Sequence, residues 1–130
     1  MTLRLDGRDV AGGGTLLDVC RRERVAVPAL CHDDRVGPGG HCRACMVEVD
    51  GRLRPACTTT ATEGAVIETD SARVREYRRD LGELMTAESS PRGEVAALLG
   101  AWGVEGSRYE TTSRGAALLR DGGHPVLRLD

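Results

Sequence analysis

The 130-residue sequence predicts an α+β fold, in which a mixed β-sheet packs on a short helix and a longer helix follows. The first observation is a pair of hairpin turn signals, Asp6-Gly7 and Asp50-Gly51, each flanked by strand-forming residues. The second is a helix signal after Thr15, where apolar residues recur at helical spacing. The chain is long enough to bury a core, and it fits one compact domain with a short appendage.

The N-terminal segment predicts a β-hairpin followed by a capped helix. Residues 2–5 and 8–11 form the two strands, and the glycines at 12–14 interrupt the second strand. Thr15 can cap the helix through its hydroxyl, and the first turns are apolar before a charged run begins at Arg21. Cys20 lies on the apolar face of this helix, so we predict that it is a core residue.

The central segment predicts a cysteine-bearing loop followed by a second hairpin. Residues 25–30 are extended and lead into Cys31, after which Asp, Gly and Pro predict a loop as far as His41. Residues 46–49 predict a strand, and the turn at 50–51 returns the chain towards Cys57. Residues 64–68 predict a further strand.

Two more helices are predicted in the C-terminal part. Ser71 caps the first, whose shared face consists of Val74, Tyr77, Leu81, Leu84 and Met85. Loop-forming residues at 86–93 indicate a boundary, so we predict domains at 1–86 and 87–130. The second helix has apolar residues at 95, 98, 99 and 102, and residues 126–129 predict a final strand.

Charge and hydropathy limit the classes of partner. The formal net charge is -2 and charged residues make up 29%, a balance that favours neither nucleic acid nor a membrane surface. No apolar segment approaches the roughly 20 residues that span a bilayer, and no signal-peptide pattern is present, so we expect a cytoplasmic protein without direct membrane insertion. In that reducing compartment the 5 cysteines indicate metal binding or redox chemistry instead of disulfides.

Four of the cysteines have a spacing that suits a metal centre. They read Cys31-x10-Cys42-x2-Cys45-x11-Cys57, and a [2Fe-2S] cluster requires four thiolates, two for each iron. A structural zinc ion also accepts four thiolates, but zinc ribbons usually present two C-x2-C knuckles and this chain has one. The spacing favours iron and leaves zinc open.

The loop between the first two of these cysteines is rich in glycine and in basic residues. Glycines at 37, 39 and 40 let the backbone pass close to sulfur and direct N–H groups at it. Arg35, His41 and Arg43 would offset the negative charge of a cluster, and this is a hypothesis about its potential. A Rieske-type site, with His32 and His41 as ligands, is disfavoured because four cysteines are available.

The stretch from Thr15 to about Asp70 resembles a known redox domain. Its matching text is TLLDVCRRERVAVPALCHDD, GGHCRACMVEVDGRLRPACTT and GAVIETDS. These segments are similar to the N-terminal [2Fe-2S] ferredoxin-like domain of the large iron–sulfur subunit of respiratory NADH dehydrogenase. They also resemble the α-subunit of NAD-linked molybdenum formate dehydrogenase, which looks closest, and the small diaphorase subunit of NAD-reducing hydrogenase.

The resemblance implies a β-grasp [2Fe-2S] ferredoxin-like domain with a C-terminal helical extension, and a role in electron transfer. Cys31 and Cys42 would hold one iron, and Cys45 and Cys57 the other. The implied cofactor-binding set is Cys31, Gly39, Gly40, Cys42, Arg43, Ala44, Cys45 and Cys57. The implied partners are a flavin-bearing NADH-oxidising subunit and a molybdopterin catalytic subunit of an oxidoreductase complex.

The sequence departs from those families beyond residue 86. There the families carry one histidine and three cysteines that bind a [4Fe-4S] cluster, whereas this chain has no cysteine after Cys57. Residues 87–130 therefore resemble a degenerate segment without its ligands, and no catalytic centre stands out in the chain. The alternative functions are a structural zinc-binding module and an assembly or scaffold module.

Overall fold

The computed structural model describes residues 1–109, which divide into two compact units, Met1–Arg78 and the described residues from Arg79 onward. No helix within the described residues is long and apolar enough to cross a bilayer. The predicted strand at 126–129 lies outside the described residues, and the predicted domain boundary after residue 86 stays a prediction. The elements are β1 (Thr2–Leu5), β2 (Arg8–Ala11), α1 (Leu16–Arg22), β3 (His32–Asp33), β4 (Gly37–Pro38), β5 (Met46–Val49), β6 (Arg52–Pro55), β7 (Val66–Glu68), α2 (Ala72–Glu88) and α3 (Gly93–Ala101).

Five strands form one mixed sheet, in the order β2-β1-β7-β5-β6. β1 pairs antiparallel with β2 and parallel with β7, while β5 pairs antiparallel with both β6 and β7. β7 therefore joins the N-terminal hairpin to the central one, and all five strands belong to the first unit. The predicted α+β fold, with its mixed sheet and both hairpins, is confirmed.

Two Asp-Gly turns connect the hairpin strands and also bind the chain around β7. Asp6 and Asp50 have φ values of 47° and 49°, in the left-handed region that such two-residue turns require. The Asp6 carboxylate accepts hydrogen bonds from the N–H and the hydroxyl of Thr69 at 2.8 and 2.7 Å. The Asp50 carboxylate accepts one from the N–H of Val66 at 2.9 Å. Each turn thus contributes to the register of the central strand.

Helix α1 begins with a capping box and covers one face of the sheet. The Thr15 hydroxyl accepts a hydrogen bond from the N–H of Asp18 at 3.2 Å, and the Asp18 carboxylate accepts one from the N–H of Thr15 at 2.8 Å. The Thr15 N–H also lowers the pKa of the Asp18 carboxyl. The apolar side of the helix lies in a core whose most deeply buried members are Leu3, Leu5, Leu16, Leu17, Val19, Cys20, Val47 and Ile67.

Cys20 lies in that core, as predicted, with 1% of its surface exposed. Burial raises the pKa of its thiol from 9.0 to about 11, so the fold favours the neutral thiol. The stability that this provides is present below pH 9 and is lost as the pH rises towards 11. At pH 8 we expect alkylation of Cys20 by iodoacetamide to be at least about a hundredfold slower in the native protein than in the unfolded chain. Mass spectrometry of the labelled peptide measures this ratio, and equal labelling would contradict the burial.

The structure departs from the sequence prediction at three places in the chain. A short hairpin, β3–β4, lies in the predicted loop, and two-residue strands carry no periodicity that a sequence could reveal. β7 begins at Val66, two residues late, because Gly64 adopts a φ of 73° that interrupts the strand. Leu84, on the predicted shared face of α2, is 41% exposed, whereas Val74 on the same face is fully buried.

The predicted helix cap at Ser71 is confirmed, since the Ser71 hydroxyl accepts a hydrogen bond from the N–H of Val74 at 3.2 Å.

The second unit packs α3 and the residues after it against the C-terminal part of α2. Gly82 lies at the closest approach, where an added Cβ would be 2.6 Å from Val104 Cγ2 and 3.0 Å from Leu99 Cδ2. Arg108 donates hydrogen bonds to Glu83, at 2.6 Å, and to Asp80, and it lowers the pKa of the Glu83 carboxyl. A glycine at position 82 is therefore required by packing, although it weakens the helix.

Two glycine substitutions in this unit should change its stability in opposite directions. Gly82→Ala forces Cβ against a short, branched side chain, and such overpacking costs about 1–3 kcal/mol, more than the gain in helix propensity. Gly100→Ala in α3 meets no atom within 4 Å, so it should stabilise the helix by about 0.5–1 kcal/mol. Resistance of the second unit to limited proteolysis measures both effects. A gain in resistance for Gly82→Ala would contradict the packing described for this helix pair.

Candidate metal centre

Cys31 and Cys42 form the first thiol pair of the centre. The Cys31 Sγ accepts hydrogen bonds from the N–H groups of His41 at 3.3 Å and of Cys42 at 3.4 Å. The Cys42 N–H is the main cause that lowers the pKa of the Cys31 thiol, and the Cys42 side chain and the N–H groups of His41 and Gly40 act in the same direction. The loop therefore favours a thiolate at Cys31, the form that binds metal.

Cys45 and Cys57 form the second pair, in a more deeply buried position. Both residues are 1% exposed, and the Cys57 N–H donates to the Cys45 Sγ at 3.5 Å. Burial raises the pKa of the Cys45 thiol, and its hydrogen bond to the Cys57 side chain adds to this. The charge of a bound metal would be needed to compensate the two thiolates in this environment.

The β5–β6 hairpin brings the second pair together. Cys45 precedes β5 and Cys57 follows β6, so the antiparallel register places the two residues at the same end of the hairpin. The Ala56 N–H donates to the Cys45 carbonyl at 3.0 Å and extends the ladder between the ligands. The Leu17 N–H donates to the Ala56 carbonyl at 3.0 Å, so the start of α1 also holds this segment.

Two glycines of the predicted set lie where a side chain would not fit. An added Cβ on Gly39 would be 2.9 Å from the Cys31 carbonyl oxygen and 3.5 Å from the Cys31 Sγ. Gly40 has a φ of 67°, and a Cβ there would be 3.3 Å from Thr58 Cγ2. The glycines allow the backbone to pass close to the first thiol pair. At Gly39 the reason is the lack of space for a side chain, not a left-handed φ.

Arg43 and Ala44 occupy the tight turn between Cys42 and Cys45. The N–H of Ala44, a fully buried residue, donates to the Cys42 Sγ at 3.4 Å. Arg43 has a φ of 57°, a left-handed conformation that lets the chain turn between the two ligands. The effect of its charge on the reduction potential stays a prediction. Arg35, in contrast, binds Asp33 at 2.7 Å, so its charge is already compensated.

The two histidines and Tyr77 take different places around the thiols. His41 contributes its backbone N–H, and the His32 ring binds Asp34 at 3.0 Å. Tyr77, which the sequence placed on the shared face of α2, lies within electrostatic range of Arg43 and of the thiols of Cys42 and Cys45. Burial raises the pKa of its phenol. The proximity of Tyr77 to these groups depends on how α2 packs, and no sequence pattern reveals it.

The donor set fits a cofactor with two metal atoms. The four thiols approach one another in two pairs, and four backbone N–H contacts reach their sulfur atoms. Two thiolates for each iron is the requirement of a [2Fe-2S] cluster, and N–H donors stabilise its negative charge.

Residues 1–72 match the family model described as "2Fe-2S iron-sulfur cluster binding domain". The chain belongs to this family. It holds one [2Fe-2S] cluster, the cofactor that the cysteine spacing favoured over zinc. The assignment of the four individual ligands agrees with the geometry of the thiols and stays a prediction.

Known relatives support the same conclusion. The chain is 33% identical over 89 residues to a subunit of the NADH-quinone oxidoreductase of Rhizobium meliloti, a match that covers 67% of this chain and 10% of that protein. It is 37% identical over 89 residues to the alpha subunit of the NADPH-Fe(3+) oxidoreductase of Geobacter sulfurreducens, covering 65% of this chain and 10% of the relative. Other matched relatives carry formate dehydrogenase or hydrogenase in their names.

A solved structure of an NAD+-reducing [NiFe]-hydrogenase in the H2-reduced state shares the fold. Its TM-score is 0.77 at 26% identity, and the match covers 85% of this chain and 52% of the hydrogenase chain. The ferredoxin-like fold and the resemblance to NADH dehydrogenase, formate dehydrogenase and hydrogenase subunits are thereby confirmed. The chain spans about a tenth of the length of the two relatives described above, so it corresponds to one domain of each of them.

Proposed function

We propose that Cys31, Cys42, Cys45 and Cys57 ligate the [2Fe-2S] cluster, and that the first unit carries single electrons between the subunits of an NAD-linked oxidoreductase. The pairing of the four thiols, two and two, is the observation that supports this assignment most directly. The cluster supplies one-electron redox chemistry. The residues of this chain hold it, surround it with N–H donors and limit its contact with water.

The burial of the two pairs indicates where electrons enter and leave. Cys45 and Cys57 are buried, whereas Cys31 and Cys42 are partly exposed on the glycine-rich loop. Electron transfer needs a short path between redox centres, so the partner docks on the Cys31–Cys42 side. Leu30 and Val36, 41% and 84% exposed, lie on the same loop and offer apolar contact area to such a partner.

The names of the relatives suggest which partners these are. The NADH-quinone oxidoreductase and hydrogenase relatives are named as enzyme subunits, and another relative is named as a formate dehydrogenase. We infer a flavin-bearing NADH-oxidising subunit as the donor or acceptor on one side, and a molybdopterin catalytic subunit on the other, in the cytoplasm. Stable binding of this chain to either purified subunit, with NADH-dependent bleaching of the cluster in the complex, would support the inference.

The cofactor itself is tested on the protein purified without oxygen. We expect two irons and two acid-labile sulfides per chain, visible absorption bands, and an axial or rhombic S = 1/2 electron paramagnetic resonance signal after reduction by dithionite. Titration with ferricyanide should then remove one electron per chain. A colourless protein with one zinc per chain would overturn the proposed function, because zinc has no redox chemistry.

A further inference from the structure

Helix α1 holds one half of the metal centre through backbone hydrogen bonds. The N–H groups of Leu16 and Leu17 donate to the carbonyls of Thr59 and Ala56 at 2.9 and 3.0 Å, on either side of Cys57. The loop that carries Cys31 has no backbone hydrogen bond to α1 within residues 1–109. Its attachment to the helix therefore depends on side chains.

Three side chains make that attachment. Arg21, in the last turn of α1, donates from Nη1 to the Asp34 Oδ1 at 2.9 Å. His32, the residue after Cys31, donates from Nε2 to the same oxygen at 3.0 Å, since a carboxylate can only accept. Asp34 thus connects the helix to the residue beside the first predicted ligand.

Of the three residues Arg21, Asp34 and His32, only His32 has a buried side chain. Its side chain is 8% exposed, whereas those of Arg21 and Asp34 are 44% and 83% exposed. The His32 Nδ1 is buried and has no hydrogen-bond partner within the described residues. Burying an unpaired ring nitrogen costs free energy, so the bond from Nε2 to Asp34 is the polar contact that keeps the ring in place.

We propose that Arg21, Asp34 and His32 are positioning residues that keep the Cys31 loop closed against α1 and so slow the loss of the cluster. The inference rests on the proposed assignment of Cys31 as a ligand. Loss of the cluster requires the Cys31 sulfur to leave its iron, and the loop must then move away from the helix. That movement breaks the contact between Arg21 and Asp34, which therefore opposes it.

The contact should affect local opening much more than global unfolding. Exposed ion pairs contribute little to the stability of a whole fold. Opening of one loop, however, is governed by the few contacts that hold that loop. Removing Arg21 should thus accelerate cluster loss while the far-ultraviolet circular dichroism and the thermal midpoint of the loaded protein change little.

Arg35 provides a matched control on the same loop. Its Nε and Nη2 donate to Asp33 at 2.9 and 2.7 Å, and neither atom reaches α1. Arg21→Ala and Arg35→Ala each remove one positive charge and one Arg–Asp pair. We expect cluster loss, followed as the decay of visible absorption in the presence of an iron chelator, to be about three- to fivefold faster in Arg21→Ala and unchanged in Arg35→Ala.

Three further measurements separate positioning from a general loss of structure. Arg21→Lys should restore the slow rate, because the contact uses one nitrogen of Arg21. At about 1 M salt, where the screening length is roughly 3 Å, the wild-type rate should approach that of Arg21→Ala. The electron paramagnetic resonance lines of the reduced protein should broaden in Arg21→Ala and Asp34→Ala, because a loosened ligand loop samples more geometries.

Equal rates for Arg21→Ala and Arg35→Ala, in a protein that carries its full cluster, would overturn this inference alone. A wild-type protein without a [2Fe-2S] signal, or a Cys31→Ala variant that keeps the wild-type signal, would instead overturn the proposed function. The two failures are therefore distinguishable in one set of samples.

Discussion

Replacing Cys57 with alanine is expected to abolish the [2Fe-2S] cluster, with visible absorption and electron paramagnetic resonance falling below about a tenth of the wild-type values. Cys57 lies at the buried end of the β5–β6 hairpin, where its N–H and its thiol both contact Cys45. Without the Cys57 sulfur, the Cys45–Cys57 pair would have one thiolate left to bind iron. Iron and sulfide analysis of protein purified without oxygen measures the loss.

Cys20→Ala is the matched control for that prediction. Cys20 is as deeply buried as Cys57, at 1% exposure, but it lies on α1 and packs in the hydrophobic core. Its removal should lower stability by about 1 kcal/mol, for a small cavity, and leave the cluster content unchanged. Because metal binding and folding are coupled, the circular dichroism of both variants is recorded as well. A Cys57→Ala variant with a full cluster would contradict the ligand assignment.

Replacing Gly39 with valine is the second change for which we expect a large effect. The added Cβ meets the Cys31 carbonyl oxygen at 2.9 Å, and that oxygen belongs to the backbone of a predicted ligand. Relieving the clash requires the Gly39 and Cys31 segments to separate, and this disturbs the N–H groups of His41 and Cys42 that bind the Cys31 sulfur. Overpacking of this kind costs about 1–3 kcal/mol, so cluster occupancy should fall by about fivefold or more.

Gly12→Val provides the comparison for Gly39→Val. Neither glycine has a left-handed φ, so both substitutions act through space alone. An added Cβ on Gly12 meets the end of the Met1 side chain, and this flexible side chain can move aside. We expect Gly12→Val to keep wild-type iron content. If both variants assembled the cluster equally well, the close approach at Gly39 would not be required for assembly.

Local chemistry explains which parts of the fold were predictable. Asp6-Gly7 and Asp50-Gly51 form their turns because the left-handed φ values suit these residues wherever they occur. Thr15 and Ser71 cap helices through contacts three residues along the chain. Capping and turn formation involve neighbours in sequence, so a pattern of neighbours is sufficient to predict them.

Contacts between distant segments were not predictable in the same way. The Asp18 half of the capping box was missed because Asp and Glu are common in first turns whether or not they accept a bond. The packing at Gly82 depends on Val104, and a sequence shows Gly82 only as a weak helix residue. The hairpin at 32–38 depends on pairing over two residues, which leaves no periodic signal.

The same distinction between local chemistry and long-range contacts applies to the metal centre. By itself the sequence determined the four cysteines, their spacing and the glycines between them, because ligand type and backbone freedom are properties of single residues. Only the tertiary structure decided that the N–H groups of Cys42 and Cys57 donate to the sulfur atoms of Cys31 and Cys45, and that Arg21 reaches across to Asp34. Those contacts depend on strand register and on the packing of α1, and such long-range geometry is fixed only when the whole core is assembled.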